Sequence, residues 1–129
     1  MVIYVDSSVV LARLLREPRT PPAGFWDAEL VSSGLLKYQI WNRIYAYGLA
    51  ESRGDQVRVL LAGVELIEMS ESVLARALDP FPVPVRTLDG LHLATADFLL
   101  RQGESVELAS YDNRLLTAAR ALGMATAAL

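Results

Sequence analysis

Cysteine is absent from these 129 residues, and histidine occurs once, as His92. Without thiols there can be no disulfide, no thiol nucleophile and no cysteine-held zinc. A single imidazole also excludes a multi-histidine metal centre. Any metal here would be held by oxygen, which favours magnesium or manganese over zinc or copper. No apolar run approaches the ~20 residues that span a bilayer. Asp6 interrupts the N-terminus after Val2-Ile3-Tyr4-Val5, too early for an export signal. The expected compartment is therefore the cytoplasm, with no membrane partner. A glycine-rich phosphate loop is missing, which argues against a nucleoside triphosphatase. So is a basic excess: 12 Lys and Arg against 15 Asp and Glu leave a formal charge of -3. No global field draws nucleic acid, and an RNA substrate would have to be held by local arginines and a metal.

What is present is apolar and periodic. At 53% hydrophobic and 21% charged, the chain reads as one folded domain over 1–129, large enough to bury a core without staples. Val2 to Val5 reads as a buried strand. Ser7 or Ser8 can cap a helix reaching about Arg16, with Val9, Val10, Leu11, Leu14 and Leu15 apolar. A proline-rich turn from Glu17 to Pro22 and a short helix around Phe25 and Trp26 precede a second strand at Leu30-Val31-Ser32. Leu35, Ile40, Ile44 and Tyr47 recur at helical spacing and predict a helix from 34 to about 50. Gly54 is expected to punctuate the next helix, over Gln56 to Leu61. Glu65 to Met69 alternates as a strand, and Ser72 to Leu78 is helical. Pro80, Pro82 and Pro84 then make a rigid connector. A helix opens near Thr87 and runs to about Gln102. Val106 to Ser110, Asn113 to Leu122 and Met124 to Ala128 follow as strand, helix and strand. The alternation argues for an α/β fold, helices on both faces of a mainly parallel sheet of about five short strands.

Three aspartates lie at boundaries of apolar segments. Asp6 ends the first strand, Asp89 opens the apolar helix from Leu91 to Leu100, and Asp112 follows the strand ending near Ser110. A carboxylate at the end of a buried strand is costly to desolvate unless it is paired, hydrogen-bonded or bound to a cation. Ligands of open parallel sheets bind beyond the carboxyl ends of strands, where strand order reverses. If the strands carrying Asp6 and Asp112 are neighbours there, the two carboxylates converge. The three are read as ligands of one metal site.

These segments together resemble the PIN-domain ribonucleases, in particular the VapC-type toxins of toxin–antitoxin pairs. The resemblance rests on Val5-Asp6-Ser7-Ser8-Val9, on Ser32-Ser33-Gly34-Leu35 through Trp41-Asn42-Arg43, on Arg86-Thr87-Leu88-Asp89-Gly90-Leu91-His92-Leu93-Ala94-Thr95-Ala96, and on Ser110-Tyr111-Asp112-Asn113-Arg114-Leu115. No single motif is specific, but their order and spacing are. The resemblance implies a PIN-like three-layer α/β/α domain with the activity of an endoribonuclease dependent on Mg2+ or Mn2+. It also implies a cognate VapB-like antitoxin as partner, a homodimer and an RNA substrate. Family members carry acids at the positions of Asp6, Asp89 and Asp112, and a glutamate where this chain has Gln39. By resemblance Asp6 and Asp112 would hold the metal directly, while Asp89 with Gln39 would hold its waters or a second ion. Ser7, Ser8 and Ser110 are placed to hydrogen-bond these carboxylates. Gln39 can offer a carbonyl oxygen but cannot serve as a carboxylate base, so reduced activity is expected.

Each residue also has a plainer reading. Asp6 and Asp112 can be helix caps, and Asp89 a favourable charge in a first helical turn. Gln39 alone is an ordinary helix residue. His92, on a helix among leucines, is expected to be a packed, hydrogen-bonded core residue rather than a general base. Arg13, Arg16, Arg43, Arg86 and Arg114 can contact phosphate or simply be solvated. Two alternatives compete with the ribonuclease. One is a catalytically impaired PIN module that binds RNA or antitoxin, motivated by Gln39. The other is a magnesium phosphotransferase of α/β build, which is disfavoured because the second acid such enzymes carry beside the strand-end aspartate is Ser7 or Ser8 here.

Overall fold

The computed structural model describes residues 1–129. Five strands, β1 (Val2–Val5), β2 (Leu30–Ser33), β3 (Val64–Ile67), β4 (Val106–Ala109) and β5 (Ala125–Thr126), form one sheet in the order β3-β2-β1-β4-β5. All four pairings are parallel, so the sheet is wholly rather than mainly parallel. Six helices connect them: α1 (Ser7–Leu14), α2 (Leu35–Ala46), α3 (Ala50–Ala62), α4 (Glu71–Leu78), α5 (Thr87–Arg101) and α6 (Asn113–Ala121). No helix is long and apolar enough to cross a membrane.

Alternation along the strands divides the core in two. Val5 and Leu30 pack with Val9, Leu36, Ile40 and Val57 from α1, α2 and α3 on one face. Val2, Tyr4, Val31 and Leu108 pack with Leu93, Ala96 and Leu115 from α5 and α6 on the other. Successive side chains of a strand point to opposite faces, and a buried parallel sheet needs helices on both. The chain builds outward from β1 to β2 and β3, then crosses back to lay β4 on the other side of β1. Strand order therefore reverses between β1 and β4, and their register pairs Val5 with Ala109. Asp6 and Ser110 leave the sheet side by side.

Several boundaries differ from the periodicity reading. α1 stops at Leu14, not Arg16, because Arg16 takes a left-handed φ of 55°. The Glu17 N–H then reaches back to the Ala12 carbonyl at 2.8 Å and the Arg16 N–H to that of Arg13 at 3.2 Å, which closes the helix end. The helix expected from 34 to about 50 ends at Ala46 in the same way, with Gly48 at φ 66° and the Leu49 N–H on the Ile44 carbonyl at 3.0 Å. Gly54 does not punctuate anything. It lies buried inside α3, where an added Cβ would stand 3.3 Å from the Arg58 guanidinium and 3.6 Å from the Trp41 ring. The Trp41 distance is ordinary contact and the Arg58 end can shift, so the helix simply runs through this glycine. The segment around Phe25 and Trp26 is a single 3₁₀ turn, Phe25–Asp27, and β5 is only Ala125–Thr126.

Candidate metal and phosphate site

Asp6 is 4% exposed and stands at the end of β1 as the cap of α1. Its Oδ1 accepts from the Ser8 N–H at 2.9 Å and from the Ser8 hydroxyl at 2.6 Å; its Oδ2 accepts from the Ser110 hydroxyl at 2.7 Å. Both serines are themselves fixed from β4 and the turn after it. Ser8 Oγ accepts the Tyr111 N–H, and Ser110 Oγ accepts the Asp112 N–H, each at 2.9 Å. Burial nevertheless outweighs these donors and pushes the Asp6 carboxyl above the usual carboxylate range.

Asp112 caps α6, its Oδ1 accepting from the Arg114 N–H at 2.9 Å and the Leu115 N–H at 3.4 Å. Its other oxygen faces Arg86, whose Nη2 stands 3.5 Å away. The same guanidinium places Nε 3.5 Å from Asp89 Oδ2, so Arg86 bridges the two acids. Partial burial and the neighbouring Asp112 charge raise the Asp89 carboxyl above its ordinary value, against the opposing pull of Arg86 and Arg114. Arg86, Asp89 and Arg114 share a cavity of about 330 Å3 with Pro84 and Val85. The proline connector thus delivers a cation to the acids, and the flank of the site is basic although the chain is acidic.

Gln39 belongs to α2 and makes no hydrogen bond to any of the three acids, coming only as near as their chain neighbours Ser7 and Leu88. It lines a shallow groove of about 180 Å3 with Ser7, Leu11, Tyr38, Asn42, Arg43 and Leu88. Its Oε1 lies 2.6 Å from His92 Nε2, and His92 Nδ1 lies 2.7 Å from the Tyr4 hydroxyl. His92 is 2% exposed, and desolvation lowers its pKa from 6.5 to about 4, so the imidazole is neutral. It is a packed, hydrogen-bonded core residue, as its leucine-flanked position implies. Tyr4 had no sequence signal beyond a general one, that a buried tyrosine hydroxyl must find a partner.

The fold joins the three acids as a chain: Asp6 to Asp112 through Ser110, and Asp112 to Asp89 through Arg86. It does not close them into a cluster, and no three acidic or histidine side chains stand close enough to share one ion. Two geometric facts keep them apart: capping turns one oxygen of Asp6 and of Asp112 toward a helix end, and Arg86 occupies the space between Asp89 and Asp112. The donor chemistry still suits a hard divalent cation. Every candidate ligand is oxygen, one carboxylate is desolvated, and another is pushed up by its acidic neighbour.

The architecture and site define a doubly wound, wholly parallel α/β domain with an acidic, arginine-flanked crevice at its topological switch point. The PIN domain family matches residues 3–121. Ribonuclease VapC46 of Mycobacterium tuberculosis (strain ATCC 25618 / H37Rv) is 35% identical over 130 residues, covering 98% of this chain and 96% of that protein. Ribonuclease VapC47 of the same species (strain CDC 1551 / Oshkosh) is 29% identical over 133 residues with the same coverage, and Ribonuclease VapC35 of that strain is 27% identical over 133 residues. The chain belongs to the PIN-domain family and, within it, to the VapC type.

Proposed function

We propose that this chain is an endoribonuclease toxin of a toxin–antitoxin pair, one PIN domain over 1–129, acting in the cytoplasm and dependent on Mg2+ or Mn2+. The observation that carries this reading is the buried Asp6 carboxylate at the β1–β4 switch point, linked through Ser110 to Asp112. The ribonuclease names of full-length relatives support it. Asp6, Asp89 and Asp112 are the residues that would hold the cation once Arg86 leaves the space between Asp89 and Asp112. When bound, it supplies neutralisation of phosphate charge and a more acidic water. Ser8 and Ser110 keep the Asp6 carboxylate oriented. Arg86, 64% exposed, can leave Asp89 and Asp112 to meet an RNA phosphate, and Arg114 beside it adds to that pull. The expected partners are RNA, a VapB-like antitoxin and a second copy of the chain.

Gln39 favours a second reading, a catalytically impaired module that binds RNA or antitoxin. An amide at this position removes one negative charge and cannot take a proton from water. The distinguishing measurement is cleavage of a structured RNA pool with Mg2+, with Mn2+ and with EDTA, by the natural chain and by Gln39→Glu. Slow, metal-dependent cutting that rises ~10²–10⁴-fold in Gln39→Glu is expected. Equal rates would make a carboxylate at position 39 dispensable. No cutting by either form would leave the binding module.

A further inference from the structure

Tyr4, His92 and Gln39 form a line from the buried middle of β1 to the groove beside the acids. The Tyr4 phenol has one hydrogen; its oxygen lies 2.7 Å from His92 Nδ1, with the hydroxyls of Ser32 and Thr95 also within its reach. The neighbouring hydroxyls of Ser32 and Thr95 donate to the backbone carbonyls of Val5 and Leu91. Gln39 Oε1, 2.6 Å from His92 Nε2, can only accept, so the proton of the neutral ring sits on Nε2 and Nδ1 is left to accept the phenol hydrogen. His92 Nε2–H then donates to Gln39 Oε1 at 2.6 Å. A primary amide carries one oxygen and one nitrogen. With the oxygen turned inward, the NH2 group faces the groove lined by Ser7, Asn42 and Leu88.

We infer that Tyr4 and His92 are positioning residues that fix the Gln39 amide with its nitrogen toward the site, so that position 39 donates a hydrogen bond to a phosphate oxygen of RNA and offers no oxygen to a cation. The identity of the ligand rests on the ribonuclease reading; the orientation does not. Burial of the imidazole supports the arrangement, because a neutral ring has only one N–H to give and the Gln39 oxygen takes it on Nε2. A glutamate at position 39 would accept the same Nε2–H with one oxygen and present the other outward. Gln39→Glu therefore leaves the inward hydrogen bond intact and changes the outward atom from donor to acceptor. The usual carboxylate is thus replaced by a group of opposite hydrogen-bonding sense, which goes further than the loss of a charge.

Nitrogen-15 NMR of the full chain tests this without catalysis. The His92 ring nitrogens report the tautomer, and the Gln39 side-chain NH2 resonances are identified by their loss in Gln39→Glu. A short single-stranded RNA is then titrated in EDTA. The expected result is the Nε2–H tautomer and Gln39 NH2 resonances that move as RNA binds. Gln39→Glu should bind that RNA about tenfold more weakly, the cost of one hydrogen bond to a charged oxygen, while gaining a larger Mg2+-induced rise in melting temperature. Tyr4→Phe, which keeps the ring and removes the donor, should yield a mixture of tautomers. An Nδ1–H tautomer, or NH2 resonances that stay still while RNA binds, overturns the inference and leaves the ribonuclease reading intact. RNA that does not bind the natural chain at all, with the Nε2–H tautomer present, overturns the ribonuclease reading and the phosphate assignment with it.

Discussion

A buried carboxylate with three hydrogen-bond donors is a costly residue to keep, and Asp6 is one. Its raised pKa says that burial penalises the ionised form more than the serines reward it. Asp6→Asn keeps an oxygen for the Ser8 N–H and removes the desolvated charge. The variant should melt higher than the natural chain in EDTA and lose most of the Mg2+-induced rise, since a ligand selective for the folded state stabilises it. Differential scanning fluorimetry with and without Mg2+ reads both, and a metal response unchanged by Asp6→Asn would sink the metal site. His92 sets the acid limit in a different way. Its pKa is 6.5 when unfolded and about 4 when folded, so between those values the unfolded chain holds a proton that the folded chain refuses. Stability from this residue is complete above pH 6.5 and falls as pH drops toward 4, by up to about 3 kcal/mol. Asp6 and Asp89, with raised values, act oppositely: folded, they keep protons longer, so their contributions weaken as pH rises above 3.8. Between pH 7 and 4.5 these contributions oppose each other, and His92→Gln should remove the acid-side loss that His92 causes; a pH dependence of melting unchanged by His92→Gln would show that His92 contributes none of it. At this scale the aspartates were legible because they punctuate apolar segments. The contact of Gln39 with His92 was not, because the two lie 53 positions apart in sequence.

Among the elements, α4 and α5 are joined across a buried charge pair as well as by packing. Arg76, 8% exposed, places Nε 2.6 Å from Asp97 Oδ2, gives Nη1 to the Asp79 carbonyl at 3.3 Å, and lies over the Phe81 ring at 4.5 Å. Arg101 adds a second contact to Asp97 at 3.0 Å. The pair therefore ties both helices to the proline connector that carries Arg86 to the site. Removing one partner leaves a buried charge uncompensated, a loss of roughly 3 kcal/mol. Asp97→Ala should show that loss in urea unfolding; a change below about 1 kcal/mol would mean that the pair is effectively solvated. Helix interiors followed from apolar spacing, whereas their ends did not. Tyr47-Gly48 stops α2 because Gly48 turns left-handed, while Gly54, equally a glycine, keeps a helical backbone inside α3. Nothing local separates the two cases.

For the molecule as a whole, the order β3-β2-β1-β4-β5 places β1 between the two halves of the chain, and both site-bearing turns leave from the same edge of the sheet. The surface beyond the core carries large exposed side chains, Tyr38, Tyr45 and Tyr47 along or just after α2 and Val59 on α3. Aromatic residues of this kind are enriched in the cores of protein interfaces. On the proposed function, the chain is expected to scatter light as a dimer and to bind an amphipathic segment of a cognate antitoxin. A strict monomer at high concentration, unmoved by such an antitoxin, would count against both partners.

Alternating strands and helices, the absence of thiols and the three aspartates at segment ends are local properties; from them the α/β class could be read in the sequence and an oxygen-only site proposed. Hydrophobic period and turn chemistry act over a few residues, so they survive without coordinates. Only the tertiary structure decided that β1 and β4 are neighbours, that Ser110 ties Asp6 to Asp112, that Arg86 stands between Asp112 and Asp89, and that His92 holds Gln39. Those contacts join residues distant along the chain, and their geometry follows from how two cores pack on opposite faces of one sheet rather than from any local preference.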